Sequence, residues 1–297
     1  MKGIIKANLI KEALPYLKKF KGNRVLIKYG GSLMDNSRVN EGIIKDIASL
    51  KLLGLKPIIV HGGGNEISAM LNKLKIESSF VDGIRVSSKE CVEVVEMVLA
   101  GKINKGIVAD LAKEGVKAIG ISGKDGDLLR AKKFIGEVDL GFVGEITDVK
   151  SEIVELLLEK DYIPVIAPIA RDEEGNSYNI NADYAAVAIA SALKVEKLIF
   201  LTDVGGVLMD KDNLDSTIHY LSKARALELI GSGVISGGMI PKVNSCIQAV
   251  DSGVSMAHII DGRLEHPLIS EIYTYDGTGT MIYEREEDYE GIIAKIS

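Results

Sequence analysis

Apolar runs of strand length alternate along this chain with segments of helical period. The runs Arg24–Lys28, Pro57–His61, Ala118–Ser122, Ile163–Ala167, Leu198–Thr202 and Ala257–Asp261 predict strands. Helical spacing predicts helices over Asn40–Leu53, Asn65–Leu74, Ser88–Glu114 with a break near Gly101, Lys150–Lys160, Ala182–Leu193, Lys223–Ile230 and Ile240–Ser252. Strands that are apolar on both faces and separated by helices imply a mostly parallel sheet with helices on each side. The expected fold class is therefore α/β, a three-layer αβα sandwich around a central sheet. Ligands of such sheets bind beyond the carboxyl ends of the strands.

Polar, turn-rich stretches at Ser79–Ser87, Gly123–Thr147 and Arg171–Asn179 predict hairpins or flaps. At the N-terminus, Leu9, Ile10, Ala13, Leu14 and Leu17, with Phe20 beyond, make an apolar stripe at helical spacing, and Pro15 inside it predicts a kink. The stripe either folds back on its own subunit or buries itself against another. No composition-marked linker divides the rest. The expected organisation is an arm over 1–20 and a single domain over 21–297, with lobes 21–180 and 181–297. The Glu284-Arg285-Glu286-Glu287-Asp288 run reads as a solvated helix start.

Composition narrows the partners. With 297 residues, 46% of them hydrophobic, the chain can build a substantial core. Its net charge of −6 argues against nucleic acid or an anionic membrane surface as a default partner. No apolar run approaches the ~18 residues of a membrane span, and no signal-peptide pattern opens the sequence. Two cysteines, Cys91 and Cys246, lie in helix-like segments and read as buried apolar residues in a reducing compartment. A cytoplasmic location is expected.

The candidate chemistry lies where glycines follow strands. Lys28-Tyr29-Gly30-Gly31 ends the first strand, and His61-Gly62-Gly63-Gly64-Asn65 ends the second and opens a helix. Closely spaced glycines let backbone N–H groups approach an anion, and a helix N-terminus adds its positive end. The spacing is neither Gly-x-Gly-x-x-Gly nor Gly-x4-Gly-Lys-Ser/Thr, so dinucleotide and P-loop readings fail. His61 reads as a hydrogen-bonded structural residue. Arg85, in Asp82-Gly83-Ile84-Arg85-Val86, either clamps a carboxylate or makes a surface ion pair. Asn179-Ile180-Asn181-Ala182-Asp183 opens an alanine-rich helix, which Asn181 suits as a cap. Asp183 either serves the helix dipole or orients lysines in the site. Thr202-Asp203-Val204-Gly205-Gly206-Val207 can cradle a nucleotide, and Gly237-Gly238 precedes a second cation, Lys242. No nucleophilic Ser or Cys has an evident base partner, and no metal-ligand cluster is visible. A carboxylate acceptor needs no general base, because it is ionised at neutral pH. Two lysines and a set of N–H donors supply the positioning and charge cancellation that phosphoryl transfer requires.

Together with Gly120-Ile121-Ser122-Gly123-Lys124-Asp125-Gly126, these motifs in this order resemble the amino acid kinase family over nearly the whole chain. Within it they resemble the branch that phosphorylates the γ-carboxylate of N-acetyl-L-glutamate in arginine synthesis. The resemblance implies ATP as donor, with Mg²⁺ held mainly by nucleotide phosphates. Lys28 and Lys242 then look like transition-state stabilisers organised by Asp183. Gly63, Gly64, Arg85 and Asn179 resemble the acetylglutamate site. Gly30 and Gly31 would meet the transferring phosphate, and Asp203, Val204, Gly205, Gly206, Val207, Gly237 and Gly238 resemble the nucleotide site. The arm and the tail from His266 to Thr280 resemble the arginine-inhibited branch, in which arms join dimers into a hexamer. By position, Tyr16, Lys197, His266, Glu271 and Gly279 are the arginine effector candidates. A nitrogen-signalling regulator that binds the ring is a candidate partner. A kinase for aspartate, glutamate or carbamate, and a non-catalytic arginine-sensing ring protein, stand as alternatives.

Overall fold

The long apolar runs pair with one another across large sequence distances. The computed structural model describes residues 2–274 and 277–285. Fourteen strands are formed: β1 (Arg24–Tyr29), β2 (Lys56–His61), β3 (Phe80–Val81), β4 (Ile84–Arg85), β5 (Ala118–Ser122), β6 (Leu129–Lys133), β7 (Gly144–Val149), β8 (Ile163–Ala167), β9 (Ile169–Arg171), β10 (Ser177–Asn179), β11 (Lys197–Thr202), β12 (Tyr220–Ser222), β13 (Met256–Asp261) and β14 (Thr280–Tyr283). The α-helices are α1 (Lys2–Phe20), α2 (Gly31–Met34), α3 (Ser37–Leu52), α4 (Gly64–Leu74), α5 (Lys89–Glu96), α6 (Asn104–Lys113), α7 (Glu152–Glu159), α8 (Ala182–Ala192), α9 (Lys223–Gly231), α10 (Met239–Asp251) and α11 (Pro267–Tyr273). A wide π-helical turn, Met97–Ile103, joins α5 to α6, where a break was expected near Gly101.

The main sheet has the order β12-β14-β13-β11-β1-β2-β8-β5 and is parallel except for the β13–β14 pair. β1 sits at its centre between β11 and β2. Strands preceding residue 181 fill one half of the sheet, and strands following it fill the other. Alternation along β1 sends Leu26 to the face covered by α8 and α10, and Ile27 and Tyr29 to the face covered by α3. Each fully buried Ile, Leu or Phe on these faces contributes roughly 1.5–3 kcal/mol relative to exposure. Burial on both sides explains the unbroken apolar runs.

The stretches read as flaps do more than turn. β3 and β4 form the expected hairpin, but β10, β9, β6 and β7 assemble into a second, four-stranded sheet. Asp127 anchors it, taking Arg130 at 2.7 Å, Lys150 at 2.8 Å and Arg171. Glu96 at the end of α5 holds Lys124 and Ser177, tying this sheet to the helical layer.

The N-terminal helix runs unbroken through Pro15, where a kink was expected. Phe20 is buried, Tyr16 and Leu17 pack half-buried against the core on the α3 face of the sheet, and Leu14 is exposed. The second half of the arm therefore rests on its own chain. Of the acidic run, residues 286–288 lie outside the described residues.

Candidate active site

The central strands end together and so bring their following loops into one crevice. The loop after β1 and the loop after β2 touch through backbone. A Cβ placed on Gly31 would lie 3.1 Å from the Gly63 nitrogen and 3.3 Å from that of Gly64. Glycine lets these two N–H-bearing segments sit so close; a Cβ at 31 would have to push its neighbours back by a few tenths of an ångström. Gly30 has a similar constraint on its other side, where a Cβ would stand 2.9 Å from the Leu201 carbonyl oxygen at the end of β11.

Lys28 shares the face of Leu26, and α8 packs on β1 over that face. Asn181 caps α8, its side chain accepting from the Asp183 N–H at 2.8 Å and from that of Tyr184 at 3.4 Å. This cap presents the Asp183 carboxylate to the strand, 2.8 Å from the Lys28 ammonium. The contact is close but not aligned as a hydrogen bond, for Oδ1 of Asp183 is shielded from water without a well-directed donor. Burial, with the Asp183 charge adding to it, pushes the thiol of Cys246 on α10 up. Lys242 lies one turn before Cys246 on the same helical face. Its ammonium faces the Gly238 carbonyl at 3.4 Å, so Asp183 is paired with Lys28 and not with Lys242.

Two cavities flank this crevice. One, of about 200 Å³, is lined by Gly62, Gly63 and Gly64, by Arg85, and by Asn179 with Pro168 and Asn181. Arg85 is buried, and burial lowers its pKa. It donates to Ser78 Oγ at 2.9 Å, to the Gly64 carbonyl at 3.0 Å and to Ser68 Oγ at 2.7 Å, and it stacks on Phe80. Those bonds use three of the five N–H donors of a guanidinium and fix its plane. The surface-ion-pair reading of Arg85 is thereby set aside.

The second cavity, of about 270 Å³, lies between the loop after β11 and the segment before α10. Asp203, Val204, Gly205, Gly206 and Val207 line one wall. Gly206 has φ +102°, and a Cβ there would meet Thr280 Oγ1 at 2.7 Å. The same hydroxyl accepts from the Val207 N–H at 2.8 Å, which pins the loop. Ser236 and Met239 line the opposite wall, with Gly237 (φ +56°) and Gly238 forming the turn between them. Arg263 also lines this cavity, held by Asp261 at 2.7 Å. Sequence reasoning missed Arg263, although Asp261-Gly262-Arg263 after an apolar strand repeats the strand-then-glycine signal.

The effector candidates divide between neighbouring contacts. Lys197 is buried, 3.2 Å from His258 and 4.9 Å from the ring of Phe20. His258 Nδ1 meets Glu271 at 2.7 Å, and Glu271 accepts from the Gly279 N–H at 3.1 Å. Burial lowers Lys197 to about 8 and His258 to about 4, while Glu271 is lowered by His258, the Thr278 N–H and Lys197 against its own burial. His258 was missed, yet a histidine inside a fully apolar strand signals a buried partner. His266 stands apart from this group, with Nδ1 2.9 Å from Asp46, and Tyr16 packs on the core of the α3 face.

Lys28 with its Asp183 partner and two touching glycine loops at the carboxyl ends of parallel strands, with one cavity bearing Arg85 and another beside the loop after β11, is an arrangement that suits a kinase. The chain belongs to the amino acid kinase family, whose family model matches residues 23–261. It is similar to the acetylglutamate kinase of Caldanaerobacter subterraneus subsp. tengcongensis, 53% identical over 94% of this chain and 93% of that protein. It is also similar to the acetylglutamate kinase of Petrotoga mobilis, 50% identical over 97% of each. In fold it resembles N-acetylglutamate synthase from Neisseria gonorrhoeae, solved with coenzyme A and N-acetyl-glutamate, at TM-score 0.82 and 22% identity; the match covers 94% of this chain and 63% of that one. Carbamate kinase from Giardia lamblia, bound to AMP-PNP, matches at TM-score 0.64 and 16% identity over 89% of this chain and 99% of that one. No helix among the described residues is long and apolar enough to cross a membrane.

Proposed function

We propose that the chain transfers the γ-phosphoryl group of ATP to the γ-carboxylate of N-acetyl-L-glutamate, giving N-acetyl-L-glutamyl 5-phosphate and ADP in arginine biosynthesis. The observation that carries this reading is the Lys28–Asp183 pair, on the strand whose following glycine loop meets that of Gly63 and Gly64. Arg85 and Asn179 would hold the acceptor, Arg85 by pairing with its free α-carboxylate. The Asp203–Leu208 loop and the turn at Gly237 and Gly238 would hold the nucleotide. A carboxylate oxygen attacks phosphorus as the bond to the ADP oxygen breaks. Lys28, Lys242 and the N–H groups of Gly31 and Gly63 would offset charge on the moving phosphoryl oxygens. Asp183 keeps the Lys28 ammonium oriented.

The cations and N–H donors of the crevice suit phosphate oxygens, and the described residues hold no cluster of three His, Cys, Asp or Glu placed for a metal. Mg²⁺ would, in this reading, arrive on the nucleotide, where it would screen phosphate charge. In this reading residues 21–180 form the acceptor lobe and 181–297 the nucleotide lobe. The buried Lys197–His258–Glu271 group beside the arm supports L-arginine inhibition through Tyr16, Lys197, His266, Glu271 and Gly279, in an assembly of dimers joined by residues 1–20.

Trapping of acyl phosphate with hydroxylamine tests the acceptor, using N-acetyl-L-glutamate, L-glutamate and L-aspartate, with ADP release monitored for carbamate. Hydroxamate only with N-acetyl-L-glutamate is expected. Faster turnover of any other acceptor overturns the assignment.

A further inference from the structure

His61 is fully buried at the end of β2, and its surroundings fix its proton. Its Nδ1 lies 3.0 Å from the carbonyl oxygen of Gly62, which can only accept, so Nδ1 carries hydrogen. Its Nε2 lies 3.2 Å from Nδ2 of Asn104. That amide nitrogen also faces the carbonyls of Val165 at 2.9 Å and Ile121 at 3.2 Å, while Lys105 approaches its oxygen at 3.0 Å. All of these contacts agree on one amide orientation, with the Asn104 NH2 group facing Nε2; its two hydrogens are shared among three acceptors, the two carbonyls and Nε2. The imidazole is neutral, and burial lowers its pKa to about 4.

The consequence falls on the glycine loop. The Gly62 carbonyl and the Gly63 N–H belong to one peptide unit, and no peptide in the described chain is cis. In a trans peptide the two groups point in opposite directions. Holding the carbonyl against His61 therefore turns the Gly63 N–H away from the histidine, and the Gly63 nitrogen is the atom that lies against Gly31 across the crevice. Among the described residues that N–H has no acceptor.

The wide turn Met97–Ile103 completes the arrangement. Its Leu99 and Ile103 press on Gly63 so closely that a Cβ there would come within 2.8 Å and 2.2 Å of their side chains. The residue that follows the turn is Asn104. Shortening the turn to α-helical spacing would shift Asn104 by one residue in register, about 100° around the helix. On β5, Gly120 leaves the space that the amide fills, for a Cβ there would lie 1.8 Å from Asn104 Oδ1.

We infer that His61 is a positioning residue for phosphoryl transfer: it aims the Gly63 N–H into the anion site, and Asn104 locks the imidazole tautomer that lets it do so. The inference rests on reading the glycine loops as the phosphoryl site.

Two measurements test it. The first is the imidazole ¹⁵N spectrum of the wild-type protein, with His61 assigned by its loss in His61→Asn. A neutral ring protonated on Nδ1 at neutral pH is expected; protonation on Nε2 or a charged ring overturns the inference. The second compares variants. His61→Gln cannot reach the Gly62 carbonyl from the Nδ1 position, whereas the shorter His61→Asn amide can. His61→Gln and Asn104→Ala are expected to lower kcat roughly ten- to hundred-fold, with KM for ATP within about two-fold. His61→Asn is expected to recover most of kcat. Equal losses in His61→Gln and His61→Asn, or full kcat in His61→Gln, overturn the inference. Should the wild-type enzyme prefer another acceptor, the substrate assignment fails alone, and the variants are judged by the same criteria with that acceptor.

Discussion

The Lys28 ammonium lies 2.8 Å from Oδ1 of Asp183, although the two residues come from a central strand and from the first turn of a helix more than 150 positions later. The pair bridges the halves of the sheet at the point where β1 meets the α8 layer. The two charges are paired, while Oδ1 has no well-directed hydrogen-bond donor. Replacing Lys28 by alanine should lower kcat by roughly 10²–10³ with a smaller change in KM. Asp183→Asn should also lower kcat, since the lysine then lacks its counter-charge. Steady-state kinetics on both variants check this; near-wild-type kcat in either removes the pair from the mechanism.

Gly31→Ala places a methyl group between the two glycine loops, 3.1 Å from the Gly63 nitrogen. The site should be wedged open while the core below stays packed. A large fall in kcat with a melting temperature close to wild type is expected. Melting by differential scanning calorimetry, run beside kinetics, separates this from general destabilisation.

Arg85 is fixed through Ser78, Ser68 and the Gly64 carbonyl, so its geometry is set before any ligand arrives. Arg85→Lys keeps charge but loses the planar fork. KM for N-acetyl-L-glutamate should rise by roughly ten-fold or more, and KM for ATP should hardly move. Equal changes for both substrates would put Arg85 outside the acceptor pocket.

His266 gains Asp46 as a partner and its pKa is raised above 6.5, chiefly through that hydrogen bond. A raised histidine binds its proton more tightly in the folded state, so its contribution is complete below about 6.5 and fades as pH rises through the folded value. Asp46 also accepts the Leu268 N–H, so the pair anchors the start of α11. Wild type should melt above His266→Gln at pH near 5.5, and the gap should close by pH near 8.5. A gap that widens with pH contradicts the assignment.

The arginine reading separates control from catalysis. Lys197→Met removes the buried ammonium between Phe20 and His258 without touching either cavity. It should leave kcat within about two-fold and raise the arginine concentration for half-inhibition by roughly ten-fold or more. Deleting residues 1–20 should reduce particle size in light scattering. Unaltered inhibition in Lys197→Met, or an unchanged assembly after the deletion, defeats this part.

The sequence made the central sheet legible because its strands are buried on both faces. Ala118–Ser122 and Ile163–Ala167 match their predicted bounds, and the remaining long strands differ by a residue at one end. The last two strands at one end of the sheet, Tyr220–Ser222 and Thr280–Tyr283, escaped, being too short to carry a period. The second sheet escaped for another reason. Two of its strands are brief and the other two are partly polar, and what holds them is non-local, as Asp127 reaching Arg171 shows. In the site, glycines after strands marked the loops correctly, but side chains that act through others gave no local signal. Asn104 reads as one more polar residue on a helix until the fold sets it beside His61.

The most direct test is a crystal structure with Mg²⁺, ADP, N-acetyl-L-glutamate and a planar fluoride mimic of the transferring phosphoryl group. Both the Lys28 and Lys242 ammonium groups are expected within about 3.2 Å of the mimic's fluorine atoms, with Lys242 drawn away from its Gly238 carbonyl. Lys242 still turned towards Gly238, or the two amines on separate ligands, would contradict the account.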